Sequence, residues 1–405
     1  MLLEFFTNPV LRAPTLGSML MCFSSGLIGC LVFLQKRSLV GEALSHASYP
    51  GIVLSILFTA LFFPFSEQSA SISILIGAFL SGLLGLLVID QLEKSLKVSS
   101  DAALCFVLSL FFGIGVLIAS GLQVSHALWF RQIQTYLFGQ AATMVDSHIF
   151  LYGGLALLVL IAFILFFRFF EILHFDPQFA KTVGMPTRLI DGAIYFFLVL
   201  AIVVGMRSVG VVLMSGMLIA PAAAARQWTQ TLSSFFTLSA FIGIVSAFFG
   251  NALSVWIPLW VKQPGLSLPT GPMIVLVAAS ICFFSLLFAP KRGLITRILR
   301  IYRFEFRCKQ ENALKSLYNR EGISISFLQK HSMQFKGWLK EGKLTKKGIK
   351  EAEKLIRLHQ LWEVYLIYMG QGRDRVHESA EEMEHVLTEE IERHLHHLLD
   401  EGEKK

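Results

Sequence analysis

Nine stretches of about twenty residues with almost no charge alternate with short polar segments along the first 290 positions: roughly 14–34, 40–63, 71–92, 101–121, 147–168, 190–206, 208–226, 233–256 and 272–289. A helix needs roughly 20 apolar residues to cross a hydrocarbon core about 30 Å thick. Within that core every backbone polar group has to be satisfied by the helix itself. The pattern predicts an all-α, polytopic membrane helix bundle of about nine spans. From residue 291 charged residues recur every few positions, which predicts a small cytosolic helical domain instead.

Composition sharpens the division. Only 16% of the 405 residues are charged, against about 25% in ordinary soluble domains. Residues 1–290 hold 22 of those charges and residues 291–405 hold 41. The expected organisation is a transmembrane domain over 1–290, a basic juxtamembrane linker over 291–310 and a charged domain over 311–405. Loop charges orient the bundle. Lys36, Arg37, Lys94, Lys97, Arg168, Lys181, Arg188 and Arg226 fall on one side, and Arg12, Arg131, Arg207 and Lys262 on the other. By the positive-inside rule the first side is cytoplasmic, which puts the N-terminus outside and the charged tail in the cytosol. The start, Met1-Leu2-Leu3-Glu4, has no basic segment or small-residue cleavage site ahead of the first span and reads as uncleaved. The five cysteines form no CxxC pair, so neither a disulfide framework nor a thiolate metal site is indicated.

Within the bundle, Gly77, Gly82 and Gly85, and again Gly205, Gly210 and Gly216, supply small residues that let helices approach closely. Pro221 is expected to kink or break its span near the cytoplasmic face. Glu42 and His46 stand four apart, hence on one helical face. Ionisable residues inside a span are costly and mark function by default. Together they offer oxygen and nitrogen ligands to a first-row divalent cation, although spacing alone equally fits a pair that neutralises itself. Asp176-Pro177 and Gly184-Met185-Pro186 bound a short cytoplasmic helix on which a partner could push.

These segments resemble the permease subunits of manganese, zinc and iron ABC importers. The resemblance rests on Gly41-Glu42-Ala43-Leu44-Ser45-His46-Ala47 with Pro50-Gly51, on Tyr136-Leu137-Phe138-Gly139, and on Phe175-Asp176-Pro177 with Gly184-Met185-Pro186. It rests also on Ser208-Val209-Gly210-Val211 continuing to Ala220-Pro221, and on Pro269-Thr270-Gly271-Pro272. It implies a translocation channel paired with a second permease copy or a paralogue and fed by an extracytoplasmic metal-binding protein. An ATPase subunit would dock on the loop marked by Asp176, Pro177, Gly184 and Pro186, and Glu42 and His46 would line the path of Mn, Fe or Zn. The family's commoner acid at the first of these positions is Asp, so Glu42 bears on metal preference. No GxxxxGK[ST] segment is present, so ATP is expected only on the partner subunit. A membrane hydrolase is disfavoured: residue 213 is Leu where a GxSG turn around Ser215 needs Gly, and there is no HExxH.

In the tail, residues 291–360 carry net +12 and residues 361–405 net −7. The basic front, Lys291 to Lys309, also fits a segment attracted to anionic lipid. His359 and Glu363 are four apart, and His377, Glu381, Glu384 and His385 share one helical face. Spacing alone favours a solvated charged face. The order Leu344-Thr345-Lys346-Lys347-Gly348, Leu355-Ile356-Arg357-Leu358-His359, Val376-His377-Glu378 and Met383-Glu384-His385 resembles the metal-dependent repressors of the diphtheria-toxin-repressor and manganese-repressor family. That resemblance implies a winged-helix-like, metal-binding dimerisation domain with the cation as co-repressor. His359, Glu363 and His377 would be ancillary ligands, and Glu381, Glu384 and His385 regulatory ones. Asn312 and Lys315 stand where the family supplies further ligands. Lys330, Lys336 and Lys340 would meet operator DNA, in a recognition region expected to carry Gly337 mid-helix, where it costs about 1 kcal/mol. The expected function is a metal importer permease fused to a metal-responsive repressor domain. The alternative is a tail that senses metal and throttles transport without binding DNA.

Overall fold

The structure is a computed structural model and describes residues 3–62, 67–125, 127–262, 267–320, 326–340 and 342–368. It falls into two compact units, Met1–Thr296 and Arg297–Lys405.

The first unit is a helix bundle. A single turn, α1 (Glu4–Thr7), precedes α2 (Pro9–Leu34), α3 (Leu39–Phe62), α4 (Glu67–Lys94), α5 (Ser100–Ser125) and the short α6 (Ala127–Phe138). Then come α7 (Asp146–Phe175), the two-turn α8 (Pro177–Thr182), α9 (Thr187–Val209), α10 (Val211–Trp228), α11 (Leu232–Val261) and α12 (Thr270–Phe288). Among the described residues eight helices are long and apolar enough to cross a membrane: α2, α4, α5, α7, α9, α10, α11 and α12. The remaining expected span is α3, which carries Glu42, Ser45, His46 and Ser48 and is buried for most of its length. No expected span covers α6, which at twelve residues is too short to cross.

Small residues decide how the helices meet. Along the α3/α4 seam a Cβ on Gly51 would collide with the Gly77 carbonyl and one on Gly85 with Ala47, and Ser81 Oγ donates to Ala47 O at 2.6 Å. Across α2 and α11, Ser239 Oγ donates to Gly26 O at 2.8 Å and Asn251 Nδ2 to Ser18 Oγ at 2.6 Å. Close packing and such bonds take the place of hydrophobic drive in lipid. The expected break at Pro221 does not occur, since α10 runs on to Trp228. The discontinuity falls at Gly210, whose φ of +94° separates α9 from α10 by one residue. A glycine with positive φ interrupts the backbone there, whereas prolines within spans are tolerated where neighbouring helices re-satisfy the freed groups.

The second unit begins within α13 (Leu294–Tyr318) and continues through α14 (Phe327–Phe335), the antiparallel pair β1 (Leu339–Lys340) and β2 (Lys343–Leu344), and α15 (Lys346–Tyr368). Ala313, Leu314, Met333, Leu339, Ala352 and Leu355 form its core. Ser326 and Gln329 close a reciprocal cap at the start of α14. At its end Trp338 N donates to Met333 O and Gly337 N to Gln334 O, with Gly337 at φ +72°. This is a Schellman stop. Gly337 is therefore not mid-helix as expected: it lies beyond the last turn, where a residue without Cβ is favoured.

Candidate functional site

Glu42 lies in the first turn of α3 and His46 one turn later. Glu42 is half-buried and lines a cavity of about 400 Å³ between α3, α10 and α12, with Ser38, Ser215, Ala223 and Cys282 also on its wall. His46 is 8% exposed and meets the Phe112 ring of α5 edge-on, with centroids 4.7 Å apart. Its Nδ1 is buried and has no hydrogen-bond partner. A buried polar atom left unsatisfied costs about 1–3 kcal/mol, so this nitrogen is an open acceptor or ligand. Among the described residues no three of His, Cys, Asp and Glu converge on one point, and His46 faces Phe112 while Glu42 lines the cavity.

α8 is specified cap to cap by the motif singled out in the sequence. The Asp176 side chain accepts from Phe179 N at 2.9 Å, Pro177 opens the helix, and Gly184 at φ +75° ends it with Met185 N donating to Ala180 O. Pro at the first helical position loses nothing, because that N–H has no intrahelical acceptor. Pro186 then opens α9. Phe175, Phe179 and Val183 are more than half exposed while Ala180 is fully buried, so α8 presents an apolar face.

Two arrangements were not foreseen. At the end of the bundle opposite α8, Gly139 (φ +73°) and Gly210 pack backbone to backbone, Gly271 approaches the carbonyls of Ser208 and Val209, and Gln140 N donates to Arg207 O at 3.0 Å. Three of the five motif segments thus meet at one node. The signal was present as glycines in each motif, but not the fact that they touch. At the α8 end, Arg37 Nη1 donates to Tyr195 Oη of α9 at 3.2 Å and Nη2 to Glu93 Oε2 of α4 at 3.0 Å. Ser100 Oγ donates to Glu93 Oε1 at 2.7 Å. Nothing in their spacing joins residues 37, 93, 100 and 195.

In the second unit His359 is 5% exposed, with Nε2 3.1 Å from Glu363 Oε1 and Nδ1 3.4 Å from Lys315 Nζ. The two side chains are therefore paired with each other, and an ammonium from α13 stands beside the imidazole. Asn312 Oδ1 is buried without a partner. His377, Glu381, Glu384 and His385 lie outside the described residues. Of the three lysines, Lys330 and Lys340 are exposed. Lys336 Nζ donates to Gln310 Oε1 at 2.7 Å and sits 4.4 Å from the Trp338 ring centroid, and burial pushes its ammonium pKa down. Among the described residues one helix, α14, stands between α13 and the hairpin, and it is nine residues long.

Comparison with known proteins agrees with this geometry. Residues 7–289 match the ABC 3 transport family and residues 345–405 the iron dependent repressor, metal binding and dimerisation domain. A Chlamydia pneumoniae protein described as a probable metal transport system membrane protein is 36% identical over 93% of this chain and 91% of its own. The manganese transport system membrane protein MntC of Bacillus subtilis is 36% identical over 75% of this chain and 66% of its own. The zinc transport system membrane protein TroC of Treponema pallidum is 34% identical over 74% and 95%. Among solved structures, PsaBC from Streptococcus pneumoniae in complex with Fab superposes with a TM-score of 0.61 at 27% identity, covering 74% of this chain and 98% of that one. With eight membrane-length helices among the described residues and a family match over residues 7–289, the chain is a multi-pass membrane protein that belongs to the ABC 3 transport family.

Proposed function

We propose that the chain is the permease subunit of an ABC importer for a divalent transition metal, with Glu42 and His46 on the cation's path. The observation that carries this reading is the buried, unpartnered Nδ1 of His46, one turn from a carboxylate that lines a cavity. Neutral imidazole and carboxylate suit Mn, Fe and Zn alike. Two donors per chain leave a cation under-coordinated, and a second copy or a paralogue would bring another pair. The relatives named for manganese and zinc transport support the substrate class. The apolar face of α8 gives a separate ATPase subunit a surface to grip, and an extracytoplasmic metal-binding protein would deliver the ion at the opposite end. In this reading α8 and the tail are cytoplasmic and the N-terminus is outside. His46→Ala should abolish uptake of radiolabelled manganese in vesicles while the complex with the ATPase still assembles. Normal uptake would remove His46 from the path.

The tail is a metal-responsive regulator, tethered or released, that answers to the cation the bundle imports. His359 and Glu363, already in contact, would begin its ligand set, to be joined by His377, Glu381, Glu384 and His385. Repression of the uptake genes through Lys330 and Lys340 is one outlet. The single short helix before the hairpin and the engagement of Lys336 with Gln310 and Trp338 favour the other, a metal sensor that throttles transport without reading DNA. Mobility shift of the operon's own promoter by residues 300–405, with and without Mn, Fe or Zn, separates them. A metal-enhanced shift supports the repressor, and its absence together with metal-dependent loss of uptake supports the throttle.

A further inference from the structure

We infer that Arg37 is a positioning residue: the strut through which motion of α8 reaches the helix carrying Glu42 and His46, an inference that rests on the transport reading above. Its guanidinium joins three elements at once. Nη1 donates to Tyr195 on α9 at 3.2 Å and Nη2 to Glu93 near the end of α4 at 3.0 Å. The other Glu93 oxygen accepts from Ser100, in the first turn of α5, so this carboxylate is held at both ends. The Arg37 backbone is itself committed to α3, because its carbonyl accepts from Val40 N at 3.1 Å, five positions before Glu42. The turn in which it sits is tight, with Lys36 held at φ +58°. Tyr195 lies eight residues into α9, about 12 Å along the axis at ~1.5 Å per residue, and α9 follows α8 after a four-residue connection.

Displacement of α8 therefore pulls Tyr195, and Tyr195 pulls the start of α3 through a planar fork whose geometry is fixed. The Glu93 side chain is 16% exposed and that of Arg37 35%, so water and salt screen the pair less than a surface bridge. A staple that merely held four helix ends together would use the same contacts, and the two roles differ in what their loss does. Losing the staple unfolds or disassembles the bundle. Losing the strut leaves the assembly intact and separates the work of the ATPase from movement of the ion.

The test uses the full chain with its ATPase and extracytoplasmic binding protein in vesicles, reading ATP hydrolysis and manganese uptake in the same sample. For Tyr195→Phe and Arg37→Gln, hydrolysis should stay within about twofold of the unaltered complex while uptake per ATP falls about tenfold or more, the scale of a lost charge-assisted hydrogen bond. The double variant should be no worse than Arg37→Gln, as expected for two groups acting through one contact. Parallel loss of hydrolysis and uptake with poor recovery of the complex would establish the staple and overturn the strut. An unchanged uptake-to-hydrolysis ratio in both single variants would overturn it as well. A complex that hydrolyses ATP yet moves no cation before any substitution refutes the transport reading, and the strut with it.

Discussion

A carboxylate one methylene longer than aspartate stands in the first turn of α3, and the buried imidazole above it has a bare nitrogen. Glu42→Gln keeps the shape and removes the charge, so uptake of Mn, Fe and Zn should fall to background in a competition assay. Glu42→Asp should retain uptake while shifting the preference among the three ions, since reach and not charge has changed. The places of Glu42 and His46 in the first two turns of α3 could be read from the sequence because four-residue spacing on a helix is local geometry. Lys336 could not be read so easily. It looked like one of several phosphate-binding lysines, yet its partner Gln310 lies 26 positions away in another helix. Gly337 was legible only as a glycine in a helical stretch, because composition does not tell where a helix stops; the positive φ does. Gly337→Ala should cost the second unit about 1–2 kcal/mol, the penalty for a Cβ in the left-handed region, measurable as a lowered denaturation midpoint.

Hydropathy located the long helices of the first unit well, since each apolar stretch corresponds, among the described residues, to a long helix with shifted edges. What it could not supply were contacts between elements. The meeting of Gly139, Gly210 and Gly271 depends on backbone atoms approaching where no side chain fits, and three separate motifs give no register for that. Gly210→Val should be severe: it forces a β-branched residue into a left-handed turn and drives its Cβ into the Phe138 backbone. Loss of more than about 3 kcal/mol is expected from strain and overlap combined, seen as aggregation of the detergent-solubilised protein at temperatures the parent survives. The bound ends of α8 were foreseen from Asp176, Pro177 and Gly184, because caps are local chemistry. The Arg37 fork was not, because it is tertiary.

At the scale of the molecule 22 charges fall in the first 290 residues and 41 in the last 115. The structure separates two units at Thr296, inside the stretch expected as the linker 291–310. α3 has a further consequence for how such a chain is made. An ionisable residue within a lone span raises the cost of its insertion, most steeply toward the bilayer centre, and α3 carries Glu42 in its first turn and His46 one turn deeper, with several hydroxyls. In a glycosylation-reporter assay α3 by itself should integrate poorly, its Glu42→Leu/His46→Leu form well, and the unaltered segment only when α4 and α5 follow it. During biogenesis, then, a helix bearing two ionisable side chains waits at the translocon for the companions whose surfaces will shelter it.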